Sequence, residues 1–86
     1  MKTERLLNAL DEIIIELNKN GKKQSADFFS SRYFKIKDAN NNLEPIKELA
    51  TCRAMAQYAD FSITEESKLD KIIDYATVIL TEHNEE

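Results

Sequence analysis

Apolar residues recur every three or four positions along most of the chain, the spacing of one face of an α-helix. The pattern predicts four helices, over residues 3–20, 23–37, 45–59 and 63–82, in a single domain that covers residues 1–86. Because the intervening segments are short, we expect an all-α fold, a small antiparallel four-helix bundle. A three-helix core with the second helix docked across it is the alternative.

Helix-breaking residues separate the four predicted helices. Glycine readily takes the left-handed conformation that closes a helix, so Asn20-Gly21 is expected to end the first helix. The three asparagines at 40–42 end the second helix, and Pro45 suits the first turn of the third. The third helix is rich in small residues and apolar over a wide arc. We therefore expect it to be central and to pack closely against two neighbours.

The fourth helix begins with a capping signal. Ser62 and Glu65 have the spacing of a capping box, in which each side chain bonds the backbone N–H of the other residue. Thr64 is a competing N-cap. The acidic residues from Glu82 onward predict a frayed end.

Composition narrows the classes of function. The chain has one Cys, one His and one Gly, which offer no internal disulfide, no structural zinc site and no glycine-rich phosphate loop. The longest apolar run, Ile13-Ile14-Ile15, is too short for a membrane span or a signal peptide. We therefore expect a cytoplasmic protein with no cofactor, no metal and no membrane contact.

The residue pattern also predicts a protein that is not an enzyme. Cys52 lies among small residues and is expected to be an inert packing residue, because the sole histidine, His83, lies close to the chain end. The acidic side chains of the fourth helix lack the Glu-x-x-His pattern of di-metal bundles. They are expected to form a solvated acidic face of Glu65, Glu66, Asp70 and Asp74.

The second helix is the basic part of an acidic chain. Residues 19–37 carry six basic side chains and one acidic one, a net charge of +5, although the whole chain has a net charge of −4. One explanation is charge compensation between neighbouring helices through surface ion pairs.

The other explanation is a binding surface on the second helix. Phe28, Arg32 and Lys35, spaced i, i+4 and i+7, would form an aromatic-basic strip that holds an acidic protein or single-stranded nucleic acid. The acidic charge of the whole chain argues against nucleic acid. If the second helix is well buried, Phe28 and Phe34 would instead pack against the helices on either side.

A polar trio lies on the predicted third helix. Arg53, Gln57 and Asp60 fall at i, i+4 and i+7, and an arginine backed by Gln and Asp can clamp a carboxylate or phosphate. The structural alternative is that Arg53 pairs with an acid on another helix and that Gln57 and Asp60 cap the next connection. If the chain has a ligand site, these three residues are the first candidates for it.

These exclusions leave a small acidic protein that works by binding another protein, the general format of bacterial inhibitors, immunity proteins and regulatory adaptors. The acidic face suits a basic partner such as a nuclease, and the strip suits an acidic one. A single-stranded nucleic-acid-binding module that also uses Lys22 and Lys23 is one alternative. A homodimer through Ile15, Phe28 and Val78 is the other. The candidate partner-binding residues are Phe28, Arg32, Lys35, Arg53, Gln57, Asp60, Glu66, Asp70 and Asp74.

Overall fold

The chain is described by a computed structural model over residues 3–38 and 43–84. These residues form five α-helices and no strand, so the fold is all-α as predicted. The predicted break at residues 40–42 and the side chain of His83 lie outside the described part. The helices are α1 (Glu4–Lys19), α2 (Lys23–Asp38), α3 (Glu44–Ala50), α4 (Met55–Tyr58) and α5 (Ile63–Asn84).

Four of the helices form a ring around one core. Helix α1 packs against α2 and α5, and α3 packs against the same two helices from the opposite side. The end of α1 lies beside the start of α5, where the Asn20 amide is 2.8 Å from the Glu65 carboxylate, so these two helices are antiparallel. This arrangement is that of a four-helix bundle with one short member. None of the described helices is both long enough and apolar enough to span a membrane.

The core is built from the stripes that the helical spacing predicts. Burial of each large aliphatic side chain contributes about 1.5–3 kcal/mol to folding, and most of these side chains come from α1 and α5. The buried apolar residues are Leu6, Ala9, Leu10, Ile13, Leu17, Ala26, Phe29, Ile36, Ile46, Leu49, Phe61, Leu69, Ile72, Ile73, Ala76 and Ile79.

The turn between α1 and α2 is closed by glycine, as predicted. Gly21 has a φ of +78°, in the left-handed region that favours glycine. The backbone N–H of Lys22 donates to Leu17 O at 2.8 Å, and that of Gly21 donates to Asn18 O at 3.2 Å. This pair of bonds is a Schellman motif, which satisfies the last carbonyl groups of α1 and reverses the chain direction.

The prediction of one continuous helix over residues 45–59 is wrong for residues 51–54. Helix α3 ends at Ala50, and the short α4 begins at Met55. The Thr51 hydroxyl donates to Lys47 O at 3.1 Å, and the Cys52 thiol donates to Leu49 O at 3.1 Å. These side chains compete with backbone N–H groups for the helix carbonyls. Of the predicted third helix, only the part that forms α3 packs against two neighbours. The part that forms α4 has no buried residue and packs against α5.

Candidate functional site

A buried carboxylate ties together two distant parts of the chain at one end of the bundle. The side chain of Glu65 is 0% exposed. It accepts hydrogen bonds from Lys22 Nζ at 2.6 Å and from Asn20 Nδ2 at 2.8 Å, both in the α1–α2 turn. It also accepts the backbone N–H of Ser62 at 2.7 Å. We call these four residues the Glu65 clasp, which fixes the α1–α2 turn against the start of α5.

The same carboxylate completes the predicted capping box. The Glu65 N–H donates to Ser62 Oγ at 3.2 Å, and the Ser62 N–H donates to the Glu65 carboxylate in return. Ser62, and not Thr64, is therefore the N-cap of α5. The prediction that Glu65 belongs to a solvated acidic face is wrong, because the Asn20 and Lys22 side chains cover it from the neighbouring turn.

The Glu65 carboxyl is ionised at neutral pH even though it is buried. Burial by itself raises the pKa of Glu65, but hydrogen bonds from Asn20, Lys22 and the Ser62 backbone, with the charge of Lys22, outweigh that effect. The pKa is lowered from 4.5 to about 2. The clasp is thus a charged, fully hydrogen-bonded group, the condition under which a buried carboxylate is tolerated.

Lys22 also holds the corner between α4 and α5. Its Nζ donates to Asp60 O at 2.6 Å and lies 5.7 Å from the centre of the buried Phe61 ring. Asp60 has a φ of +52°, a left-handed conformation that is uncommon for a residue other than glycine. Asp60 therefore lies in this corner and not on one helix face with Arg53 and Gln57. Lys22 contacts the backbone carbonyl of Asp60 and not its side chain.

An open cleft of about 510 Å³ lies beside the clasp. One wall is the α1–α2 turn and the first turn of α2, residues 21–25; the other is Met55, Tyr58 and Ala59 of the α4 region. Tyr58 is 89% exposed; Ile63, which does not line this cavity, is 88% exposed at the start of α5. We call this cavity the end cleft. Its wall carries one large side chain, Tyr58, that lies in solvent next to a concave surface.

The aromatic-basic strip is engaged within the chain for much of its length. The Arg32 guanidinium lies 4.0 Å from the centre of the Phe28 ring and bonds Glu48 of α3 at 2.8 Å. The half-buried Phe28 contacts the buried Phe29 edge-on, with the ring centroids 5.2 Å apart. Arg32 thus ties α2 to α3 and Phe28 packs against the core, whereas Lys35 is exposed.

The two phenylalanines outside the α2 stripe differ in burial. Phe28 packs against the core, but Phe34 is 59% exposed and its ring meets Tyr33 edge-on, with the centroids 5.5 Å apart. The alternative in which both pack against flanking helices is therefore wrong for Phe34, which lies largely in solvent.

A second, smaller cleft joins two of the predicted candidate groups. Arg53 and Gln57 line a cavity of about 210 Å³ together with Glu66 and Asp70 of α5. Arg53 Nη1 is 2.7 Å from Asp70 Oδ1, and both side chains are more than half exposed. Arg53 therefore pairs with an acid of another helix, the structural alternative of the prediction. Asp74 is exposed on α5 and does not line this cleft.

Cys52 has the environment of an unreactive thiol. Burial raises its pKa from 9.0 to about 11, against the lowering effects of its backbone hydrogen bond and of Arg32 and Arg53. At neutral pH the nucleophilic thiolate is therefore scarce. Over the described residues, no group of three or more His, Cys, Asp or Glu side chains is arranged to hold a metal ion.

The predicted homodimer residues differ in exposure. Ile15 and Val78 are both exposed, and Phe28 is half-buried on α2. Because Asn20 lies beside Glu65 in antiparallel helices, a rise of 1.5 Å per residue separates Ile15 from Val78 by about 12 Å along the bundle.

The end cleft is the feature that the sequence pattern misses. The sequence pattern predicts that Tyr58 lies near the end of a continuous helix. It does not single out Ile63 as a binding residue, because isolated exposed apolar residues are common. Tyr58 lines a cleft with a polar wall and an apolar wall, which can hold a peptide segment by shape, charge and apolar contact. Comparison of the chain with protein-family models, curated proteins and solved structures finds no match.

Proposed function

We propose that this chain is a non-enzymatic protein-binding module whose binding surface is the end cleft with Tyr58 and Ile63. The observation that carries the proposal is the near-complete exposure of Tyr58 in the wall of an open cleft, with a second exposed apolar side chain, Ile63, at the start of the next helix. Exposed apolar groups next to a concave surface are typical of protein interaction sites. Tyrosine is also enriched among the residues that contribute most to binding energy.

The surroundings of Tyr58 and Ile63 support this choice. Neither side chain is buried within the fold, so each contributes little to folding, whereas burial by a partner would remove most of its apolar area from water. The Glu65 clasp holds the corner that carries them through bonds to Lys22 and Asn20. A surface held in place before binding loses less conformational entropy when the partner arrives.

A protein partner is favoured over nucleic acid by the way the basic side chains are used. Lys22 is paired with Glu65 and Arg32 with Glu48, which removes two of the cations that a phosphate backbone would require. The proposed mechanism is occlusion of a functional surface of the partner, as an inhibitor, immunity-type protein or regulatory adaptor would act. The proposed compartment is the cytoplasm, because the chain has a single cysteine.

The test compares two variants that each remove exposed apolar surface. The chain is tagged and purified from its native host as wild type, as Tyr58→Ser/Ile63→Ser and as Phe34→Ser. Phe34 is the matched control because it is exposed but does not line the end cleft. We expect one protein to co-purify stoichiometrically with the wild type and Phe34→Ser and to be lost with the double variant.

Thermal unfolding of each variant provides the control for folding. All three proteins should unfold at similar temperatures, since the substituted side chains are exposed. Retention of the partner by the double variant would contradict the proposal, as would recovery of nucleic acid alone or of no partner with the wild type.

A further inference from the structure

The chain between α3 and α5 contributes no buried side chain to the core. Among the described residues, none between Leu49 of α3 and Phe61 is buried. The apolar side chains of Met55, Ala56 and Ala59 pack against the core but are only partly buried. We call residues 53–60, which include α4, the strap. The core that α1, α2, α3 and α5 build around one another is therefore complete without the strap.

The backbone of the strap is bonded mainly to itself. The N–H groups of Gln57 and Tyr58 donate to Ala54 O at 3.1 and 3.3 Å. The N–H group of Ala59 donates to Met55 O at 2.9 Å. These bonds can break without disturbing another helix. A helix of four residues is far too short to be stable by itself in water, so the strap is held in place by its contacts with the rest of the bundle.

Two side-chain bonds join the strap to other elements of the described chain. Arg53 Nη1 lies 2.7 Å from Asp70 Oδ1 of α5, and both side chains are more than half exposed. Lys22 Nζ donates to Asp60 O at 2.6 Å. Exposed ion pairs contribute little to stability because water and salt screen them. A segment with little buried area and few such contacts can open locally while the rest of the protein stays folded.

The chain has features of a hinge on both sides of the strap. Before it, the Thr51 hydroxyl and the Cys52 thiol bond carbonyl groups of α3, where that helix ends. At its other end, Asp60 has a φ of +52°. This left-handed conformation costs free energy for a residue with a Cβ. Opening would let Asp60 return to an ordinary backbone conformation, so relief of this strain favours the open form.

The strap supplies a wall to both clefts. Met55 and Tyr58 line the end cleft, whereas Arg53 and Gln57 line the smaller cleft. Because one element forms part of each cavity, its opening would remove both walls at once. A group that binds in either cleft only when the strap is closed would also stabilise the other cleft.

We propose that the strap opens as one unit while α1, α2, α3 and α5 stay folded, so that the end cleft and the smaller cleft form and disappear together. The closed form is the major one, and the open form is a minor state of the free chain. The proposed function concerns the closed form alone. The strap adds a coupling between the two clefts, and its test requires no partner.

Native-state hydrogen exchange followed by NMR measures this opening. The exchange rates of the hydrogen-bonded strap amides of Gln57, Tyr58 and Ala59 are divided by their intrinsic rates and compared with those of Leu10 and Ile13 in α1. We expect the strap amides to exchange at least about a hundredfold faster, since they require only local opening. Their corrected rates should agree within about threefold, because the strap opens as one unit.

The variant Ile13→Val separates local opening from global unfolding. Ile13 is 0% exposed, and among the described helices α1 packs against α2 and α5 and not against α4. Loss of a buried methyl group should speed exchange of the α1 amides about threefold to tenfold. The strap amides should stay within about 1.5-fold, because residue 13 remains in the folded core in both strap states. Equal acceleration of both sets would show that the strap opens only when the whole chain unfolds.

The variant Asp70→Asn tests the link between the two clefts. It removes the ion-pair partner of Arg53 in the smaller cleft, and the readout is the exchange of the Tyr58 and Ala59 amides at the end cleft. We expect about two- to fivefold faster exchange, the effect of losing an exposed ion pair. Asp74→Asn is the matched control, since it makes the same substitution one turn later on α5, outside both clefts, and should leave the rates within about 1.5-fold.

Three results would each overturn the inference. They are strap amides that exchange at graded rates or as slowly as those of α1, equal acceleration of strap and α1 amides by Ile13→Val, and equal effects of Asp70→Asn and Asp74→Asn. None of them depends on a partner, so they test the strap separately from the proposed binding surface.

Discussion

Replacement of Glu65 by glutamine tests the clasp with the smallest change in shape. The Glu65 carboxylate accepts from Lys22 and Ser62 on one oxygen and from Asn20 on the other. The glutamine amide oxygen can replace the first oxygen, but its NH₂ group then faces the Asn20 amide donor. The Asn20 amide could turn its oxygen toward this NH₂ group. That rotation would move the Asn20 NH₂ away from the Glu16 carboxylate, to which it donates at 3.2 Å. The variant therefore loses both the charge and a hydrogen bond.

The pKa of Glu65 gives the size of the stability loss expected for Glu65→Gln. Its lowering from 4.5 to about 2, at about 1.4 kcal/mol per unit, corresponds to about 3 kcal/mol of folding free energy from the ionised form. Because the pKa is lower in the folded protein, this stability is fully present above pH 4.5. It is lost as the pH falls from about 4.5 through about 2. Glu65→Gln should therefore cost about 3 kcal/mol at pH 7 and progressively less in acid.

The assay is urea unfolding followed by far-UV circular dichroism at a series of pH values between neutrality and pH 2. Glu66→Gln is the matched control, since it is the same substitution at the next, exposed position of α5 and should change stability by less than about 0.5 kcal/mol. Lys22→Met completes a double-mutant cycle with Glu65→Gln, with an expected coupling of about 1 kcal/mol or more. Additive effects, or a cost that does not shrink in acid, would refute the clasp.

Three further variants or probes test other parts of the fold. Gly21→Ala should cost about 1 kcal/mol, because the left-handed backbone disfavours a Cβ even though open space surrounds it; an unchanged urea midpoint would contradict the Schellman turn. Arg53→Ala should lower the free energy of unfolding by less than about 0.5 kcal/mol, since its ion pair is exposed. Arg32→Ala should lower it by about 1–2 kcal/mol, because the contacts with Phe28 and Glu48 are lost. Equal losses for the two variants would argue against this difference in burial. Cys52 should react with a disulfide reagent slowly at neutral pH and rapidly in denaturant, because its pKa is raised to about 11; rapid labelling of the folded protein would show that the thiol is not shielded.

The helices were predictable where burial depends on local spacing. The stripe of α5 and the Gly21 turn follow from residues that lie next to one another in sequence. The break at Thr51 and Cys52 was not predicted, because both residues are compatible with a helix and the carbonyls they bond belong to the same turn. Side-chain bonds of this kind compete with the helix, and the spacing of apolar residues does not reveal which of the two wins.

Charge compensation was predictable in outline but not in its pairings. Two cations of the basic segment pair with acids from later helices, and every ion pair identified between described residues joins different parts of the fold. These pairs are Lys22–Glu65, Arg32–Glu48, Arg53–Asp70 and Lys68–Glu12. Which acid meets which base depends on helix order and rotation, and these are set by core packing.

The candidate site depends on long-range contacts, which explains why it was missed. Ser62 and Glu65 carry a recognisable capping signal, but the Asn20 and Lys22 donors are separated from Glu65 by 45 and 43 positions. The positive φ of Asp60 and the exposure of Tyr58 are features of the folded chain that the spacing of apolar residues does not indicate. Sequence spacing cannot predict a cleft whose walls come from the α1–α2 turn and from α4.

The most direct test of the binding surface is site-specific photo-crosslinking in the native host. A photoreactive phenylalanine analogue is introduced at position 58 in one protein and at position 34 in another, since both side chains are aromatic and exposed. We expect one prominent crosslinked protein at position 58 and none at position 34. Equal crosslinking at both positions, or crosslinking at position 34 alone, would contradict the end cleft as the binding surface.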